Sequence, residues 1–109
     1  MKFILKLRVK MKSKKTPCQE KIIQLVKKLR QDNDVSQSQL SEVLGLSPGQ
    51  IGNIESPKFT HKYTIKHIYE ICKYFDFPIE NAFLKDEEMA LSKKEIVNLL
   101  ISRIIDYDK

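Results

Sequence analysis

Three observations predict an all-α fold for this chain of 109 residues. Apolar residues recur at helical spacing from about Thr16 onward. Helix-opening pairs, a Ser or Thr followed three places later by Gln or Glu, stand at Thr16/Gln19, Ser36/Gln39, Ser47/Gln50 and Ser92/Glu95. The stretch SQSQLSEVLGLSPGQIGNIE, Ser36 to Glu55, reads as two short helices joined by one tight turn. Leu40, Leu44, Ile51 and Ile54 can all point inward only if the chain reverses at Gly45, so this stretch is a helix-turn-helix.

The chain opens differently. Residues 1–15 hold Lys2, Lys6, Arg8, Lys10, Lys12, Lys14 and Lys15 with no acid, a charge of +7, while the rest holds 13 cations against 14 anions. The net charge of +6 therefore belongs to the tail, and an argument from isoelectric point for nucleic-acid binding by the globular part would mislead. In the tail Phe3, Leu5, Leu7, Val9 and Met11 alternate mostly with cations, a period of two that suggests a strand. No later segment offers it a partner strand. Three readings stay open: a solvated extension, pairing with its own copy, or lying against DNA phosphates or a minor groove. The cations interrupt it too often for a signal-peptide core or a membrane span.

The first helix starts at the Thr16 cap, with Pro17 in its first turn, and runs to about Asp32. Its inward stripe is Ile22, Val26 and Leu29, flanked by Ile23 and Leu25; Lys27, Lys28 and Arg30 are expected in water. Ser36 caps the second helix, Ser41 is small where two helices cross, Gly45 supplies the positive φ of the exit and Leu46 plugs the corner. Ser47 is expected to cap the next helix, residues 48–55, with Pro48 in its first position. The loop SPKFTHKY follows, then a helix capped by Thr64 with the stripe Ile65, Ile68, Cys72 and Phe75, Ile71 at its margin and His67 on the polar side. Phe77, Pro78, Ile79 and Phe83 describe a turn and a short helix. KDEEM, Lys85 to Met89, is the connector. Beyond the Ser92 cap, Ile96, Val97, Leu99, Leu100, Ile101, Ile104 and Ile105 give a last helix that is apolar around most of its girth and must be covered.

Cys18 and Cys72 have neither CxxC nor Cys/His spacing, and no metal site or cofactor is expected. With no secretory leader in this sequence, a cytoplasmic protein with free thiols is the expectation. Two histidines without positioned partners and no phosphate-binding glycine loop assemble no nucleophile, base and orienter, so an enzyme is not expected.

From Ile22 to Leu84 the chain resembles the five-helix DNA-binding domain of the Cro and lambda-repressor superfamily, the XRE type found in bacterial and phage repressors and in many antitoxins. SQSQLSEVLGLSPGQIGNIE and IYEICKYFDFPIENAF carry the resemblance. It implies a lambda-repressor-like bundle over residues 16–84, preceded by the basic extension 1–15. Residues 85–109, the connector and C-terminal helix, lie outside the family core: that helix either folds back on its own domain or, as its excess apolar face favours, serves as a dimerisation element. The resemblance also implies a regulator of transcription, in the first instance a repressor, that binds double-stranded DNA with the helix 48–55 in the major groove. Pro48, Gly49, Gln50 and Asn53 then face the bases. Gln37, Ser47, Lys58, Thr60 and Lys62 match phosphate-facing positions. Pro48, Gly49 and Gly52 depart from the long polar side chains usual there. Gly49 and Gly52 let the helix lie closer to the bases, or mark a surface that reads little sequence. Gln50 has a second possible role, folding back on the amide of Ser47. A homodimer is expected, since such a protein reads two half-sites. The alternatives are an antitoxin-like autoregulator that binds a toxin, and an interaction module that has kept the fold without DNA binding.

Overall fold

The computed structural model describes residues 13–109, so the alternating tail segment lies outside the described residues. Among these, six α-helices and one 3-10 turn follow one another without a strand: α1 (Pro17–Asp32), α2 (Gln37–Leu44), α3 (Gln50–Glu55), α4 (Ile65–Tyr74), α5 (Ile79–Phe83), the 3-10 turn Asp86–Ala90 and α6 (Lys93–Tyr107). The helices begin where local chemistry tells them to. Thr16, Ser36 and Ser92 each accept the amide three residues on, and Gln19, Gln39 and Glu95 return the bond to the cap amide. Each reciprocal pair satisfies two N–H groups that a helix start otherwise leaves orphaned. At α4 the same arrangement forms with His67, whose Nδ1 accepts the Thr64 amide at 3.2 Å.

Three helices end alike. Gly45 has φ +67, its amide donates to Glu42 O and the Leu46 amide to Ser41 O at 2.9 Å, the paired bonds of a Schellman turn. Asp34 and Asp76 take the corresponding positions after α1 and α4, with φ of 55 and 52 and the same two bonds. Asp tolerates this left-handed conformation better than most residues, and a glycine-based expectation passes over it.

The core is built from Ile22, Ile23 and Val26 of α1, Leu40 of α2, Ile51 and Ile54 of α3, Tyr63, Ile68, Ile71 and Cys72 before and on α4, Ala82 and Phe83 of α5, and Tyr107 of α6. Relative to the expected stripes, α1 is turned toward Ile23 and away from Leu29, which is half-buried, and Ile71 is central rather than marginal. The turn of α1 carries Arg30 inward as well, so the expectation that it stays in water is corrected. Ile23, Val26 and Arg30 follow one another at helical spacing, and Arg30 is 8% exposed. Helix α6 folds back on the bundle through Leu100, Ile104 and the fully buried Tyr107, whose hydroxyl donates to Tyr63 O at 2.7 Å. Its C-terminal end is held by Gln19, whose Nε2 donates to Tyr107 O, tying the last helix to the cap of the first. Cys72 is a buried core thiol, and burial, with Glu80 nearby, pushes its pKa up.

Candidate nucleic-acid interface

Helix α3 is six residues long, too short to hold itself as a helix in water, so its placement depends on what its inner face meets. Ile51 and Ile54 are that face, at 0% and 3% exposure. Ser41 lets α2 cross closely: it is 2% exposed and its hydroxyl turns back to Gln37 O. Outward lie Ser47, Pro48 and Gly49, exposed, and Gln50, Gly52 and Asn53, half-exposed.

The start of α3 differs from the expected Ser47 cap with Pro48 in first position. Pro48 and Gly49 form a turn, the helix begins at Gln50, and Gly49 precedes it with φ −82 and ψ −13. Gln50 supplies half of the anticipated capping box: its Oε1 accepts the Ser47 amide at 3.0 Å. The Ser47 hydroxyl donates to that same oxygen instead of accepting the Gln50 amide, which bonds to Ser47 O. Gln50 Oε1 is therefore engaged within the turn, while its Nε2 has no partner among the described residues. Asn53 makes no side-chain hydrogen bond among them, and both of its amide groups stay available.

A buried ion pair sets the far end of α3. Arg30 meets Glu55 through two parallel bonds, Nε to Oε2 at 3.0 Å and Nη2 to Oε1 at 2.9 Å. The two side chains are 10% and 6% exposed. Arg30 Nη1 also donates to Val35 O, and Gln37 Nε2 donates to Glu55 Oε1 at 2.9 Å. The fork thus joins α1, the α1–α2 turn, the start of α2 and the end of α3. Gln37, matched to a phosphate-facing position, is exposed but has its donor turned to Glu55. Its Oε1 lies 3.6 Å from where a Cβ on Gly52 would stand.

The loop after α3 is held by a residue that sequence reasoning assigned to the tail. Lys15, 7% exposed, sends Nζ to the carbonyls of Ser56 and Phe59, and the Lys14 amide donates to Pro57 O. Burial lowers the Lys15 pKa, against the opposing field of Glu20. Burial also acts on Glu20, upward, but hydrogen bonds from Gln24 and Ser13 and the charge of Lys15 together hold it below its ordinary value. No sequence signal marks Lys15, because its acceptors are backbone carbonyls. Lys58 and Thr60 are exposed on this loop. Lys62 is turned away from the position expected of it: Nζ donates to Tyr107 O at 3.2 Å and lies 5.3 Å from the Tyr107 ring centroid. The partially negative C-terminus of α6 and the ring face both attract a cation.

A short helix that buries one face, exposes a polar one and is braced at its C-terminal end on a helical bundle defines a helix-turn-helix protein. The comparisons agree: a family model described as a helix-turn-helix domain matches residues 23–89, more than half of the chain, which belongs to this XRE-like family. No curated protein and no solved structure gives a significant match. No metal-binding cluster occurs among the described residues, and no helix among them is long and apolar enough to cross a membrane.

Proposed function

We propose that the protein is a sequence-specific regulator that binds double-stranded DNA, acting as a repressor, with the outward face of α3 in the major groove. One observation carries this reading: α3 turns a row of small or uncommitted polar groups away from the protein, and the described residues leave it uncovered. A Cβ on Gly49 would meet nothing within 4 Å, so the backbone there is open to a close neighbour.

The engaged and free groups assign the roles. Asn53 has both amide groups available and can bond bidentately to adenine, a contact worth about 1 to 3 kcal/mol of discrimination. Gln50, its oxygen held by Ser47, offers a single donor, suited to a purine N7 or a guanine O6 rather than to the adenine pair. Pro48 and Gly49 stand where backbone and ring carbons meet base edges. Ser47, the N-terminal end of α2 beside Gln37, and Lys58 and Thr60 on the braced loop face the phosphates, fixing register without reading sequence. Lys62 contributes less, since its ammonium would have to leave Tyr107.

Selection from a random duplex pool, followed by titrations at several salt concentrations, tests the proposal. Asn53→Ala should relax preference at one base position and leave the salt dependence unchanged. Lys58→Ala should weaken binding to every duplex and lower the slope of log K against log salt by about one. Absence of duplex binding by the full chain at low salt would refute the reading and favour the interaction module.

A further inference from the structure

The turn that follows α3 has its carbonyls gathered on one side. Lys15 Nζ donates to the carbonyls at both ends of it, Ser56 O and Phe59 O, the latter at 2.7 Å, and the Lys14 amide donates to Pro57 O between them at 3.1 Å. The strap that supplies these donors is itself fixed: the Ser13 hydroxyl donates to Glu20 Oε2 at 2.7 Å and accepts the Lys15 amide at 3.1 Å. Both bonds of the Lys15 ammonium go to carbonyls, and none goes to a carboxylate among the described residues.

Where the carbonyls go decides where the amides face. The peptide bonds here are trans, so each N–H points opposite to the carbonyl before it. Pro57 has no N–H, and the Lys58 amide, opposite Pro57 O, donates to Ser56 Oγ at 3.2 Å. The Thr60 amide, opposite Phe59 O, has no partner among the described residues, and Thr60 is exposed. The side of the turn facing away from Lys15 therefore carries a free N–H, and the exposed Lys58 and Thr60 side chains belong to the same turn. Donors grouped in this way on a turn suit an anion. Lys15 is 7% exposed and touches nothing outside the protein. An apolar side chain would fill its place without the penalty of burying a charge. What the ammonium adds is the direction it imposes on two peptide groups, and its pull on Phe59 O polarises the very peptide that ends in the Thr60 N–H.

We propose that Lys15 is a positioning residue for the grip on DNA phosphate: from inside the protein it holds the turn Ser56 to Thr60 so that the Thr60 amide meets a phosphate oxygen on the opposite side, next to Lys58. This rests on the DNA-binding reading of α3 and adds to it a main-chain donor and a buried cation that acts without touching the ligand. Lys15 lies before the residues matched to the helix-turn-helix family, 23–89, so the role belongs to this chain's own leading strap.

Duplex titrations of the full chain at several salt concentrations, carried out on wild type, Lys15→Met, Lys58→Ala and the double variant, test this. Methionine keeps the apolar stem and removes the ammonium. Lys15→Met should weaken binding to every duplex about tenfold and leave the preferred sequence unchanged. It should also lower the slope of log K against log salt by about one, although Lys15 reaches no phosphate, because Lys58 loses its place. The double variant should then bind, and respond to salt, as Lys15→Met alone does. A second measurement needs no variant: in an amide spectrum of the labelled wild type, saturation with duplex should move the Thr60 proton downfield. Unchanged affinity in Lys15→Met, losses that add in the double variant, or a stationary Thr60 amide would each overturn this role and leave the DNA-binding reading standing. A wild type that binds no duplex at low salt would overturn both.

Discussion

Removing the Glu55 carboxylate should destabilise the protein far more than removing any exposed charge. Glu55 accepts two bonds from Arg30 and one from Gln37, all between 2.9 and 3.0 Å. Glu55→Ala would leave the guanidinium at about one-tenth exposure with Val35 O as its remaining acceptor. Breaking one side of a buried pair costs about 3 to 5 kcal/mol, because the surviving charge keeps its desolvation penalty and loses its counter-charge. For a domain of this size each kcal/mol lowers the melting temperature by about 4 to 8 °C, so the variant should melt at least about 12 °C lower. The pair Lys28–Asp32 is the internal control: it lies on the same first helix with side chains 73% and 58% exposed, and Asp32→Ala should cost about 0.5 kcal/mol or less. Replacing both partners, Arg30→Met with Glu55→Leu, should recover most of the loss, since an apolar pair has no charge to desolvate. Urea denaturation monitored by circular dichroism measures all four proteins. If Glu55→Ala proved no worse than Asp32→Ala, the claim that this fork sets the end of α3 would be refuted.

Gly52→Ala separates the two accounts of the glycines on α3. The new Cβ would meet its nearest neighbour, a side-chain oxygen, at an ordinary 3.6 Å, and the helix should gain about 1 kcal/mol. Close approach to DNA then requires weaker duplex binding from a more stable protein, and undiminished binding would discard that account. A further prediction concerns acid. Burial and the neighbouring Lys66 hold the His67 pKa below its ordinary value, and its Nδ1 must be unprotonated to accept the Thr64 amide. The folded value lies below the unfolded one, so this contribution is fully present above about pH 6.5 and is lost as pH falls through the folded value. Glu42, Glu70 and Lys66 share the hollow beside it. His67→Gln, which keeps a capping-box acceptor that does not titrate, should flatten this part of the melting temperature against pH; identical profiles would refute the assignment.

The residues that could be read in advance are those whose chemistry closes within four positions. The caps at Thr16, Ser36 and Ser92, the left-handed Gly45 and the inward Leu40, Ile51 and Ile54 follow from spacing alone. Ser47 shows the limit even there: Pro48 and Gly49 give the chain a turn as an alternative to a first helical turn, and the hydroxyl of Ser47 found the Gln50 side chain instead of its amide. What was not legible spans longer separations. Arg30 and Glu55 are 25 residues apart, and an arginine among Lys27 and Lys28 looks like one more solvated cation until its place four residues beyond Val26 is weighed. Lys15 reaches carbonyls 41 and 44 residues away, which any sequence would offer. Tyr63 and Tyr107, the two largest fully buried side chains, sit at the edges of segments read as loop and as terminus.

In the proposed regulator, the sparse chemistry on α3 bears on what a second subunit would add. If Asn53 supplies one bidentate amide and Gln50 one donor, as proposed, they would amount to about 2 to 4 kcal/mol of base discrimination per subunit, a factor of about 30 to 1,000. That lies at or below the low end of specificity ratios for site-specific DNA-binding proteins, about 10³ to 10⁷. Two such faces fixed to one another multiply their discrimination, giving about 10³ to 10⁶, within that range. The braces at Arg30–Glu55 and Lys15 then have a common effect. A face with few reading groups would gain from a second copy only if each helix were held in register with its own bundle, because a loosely seated α3 could satisfy one half-site at the expense of the other.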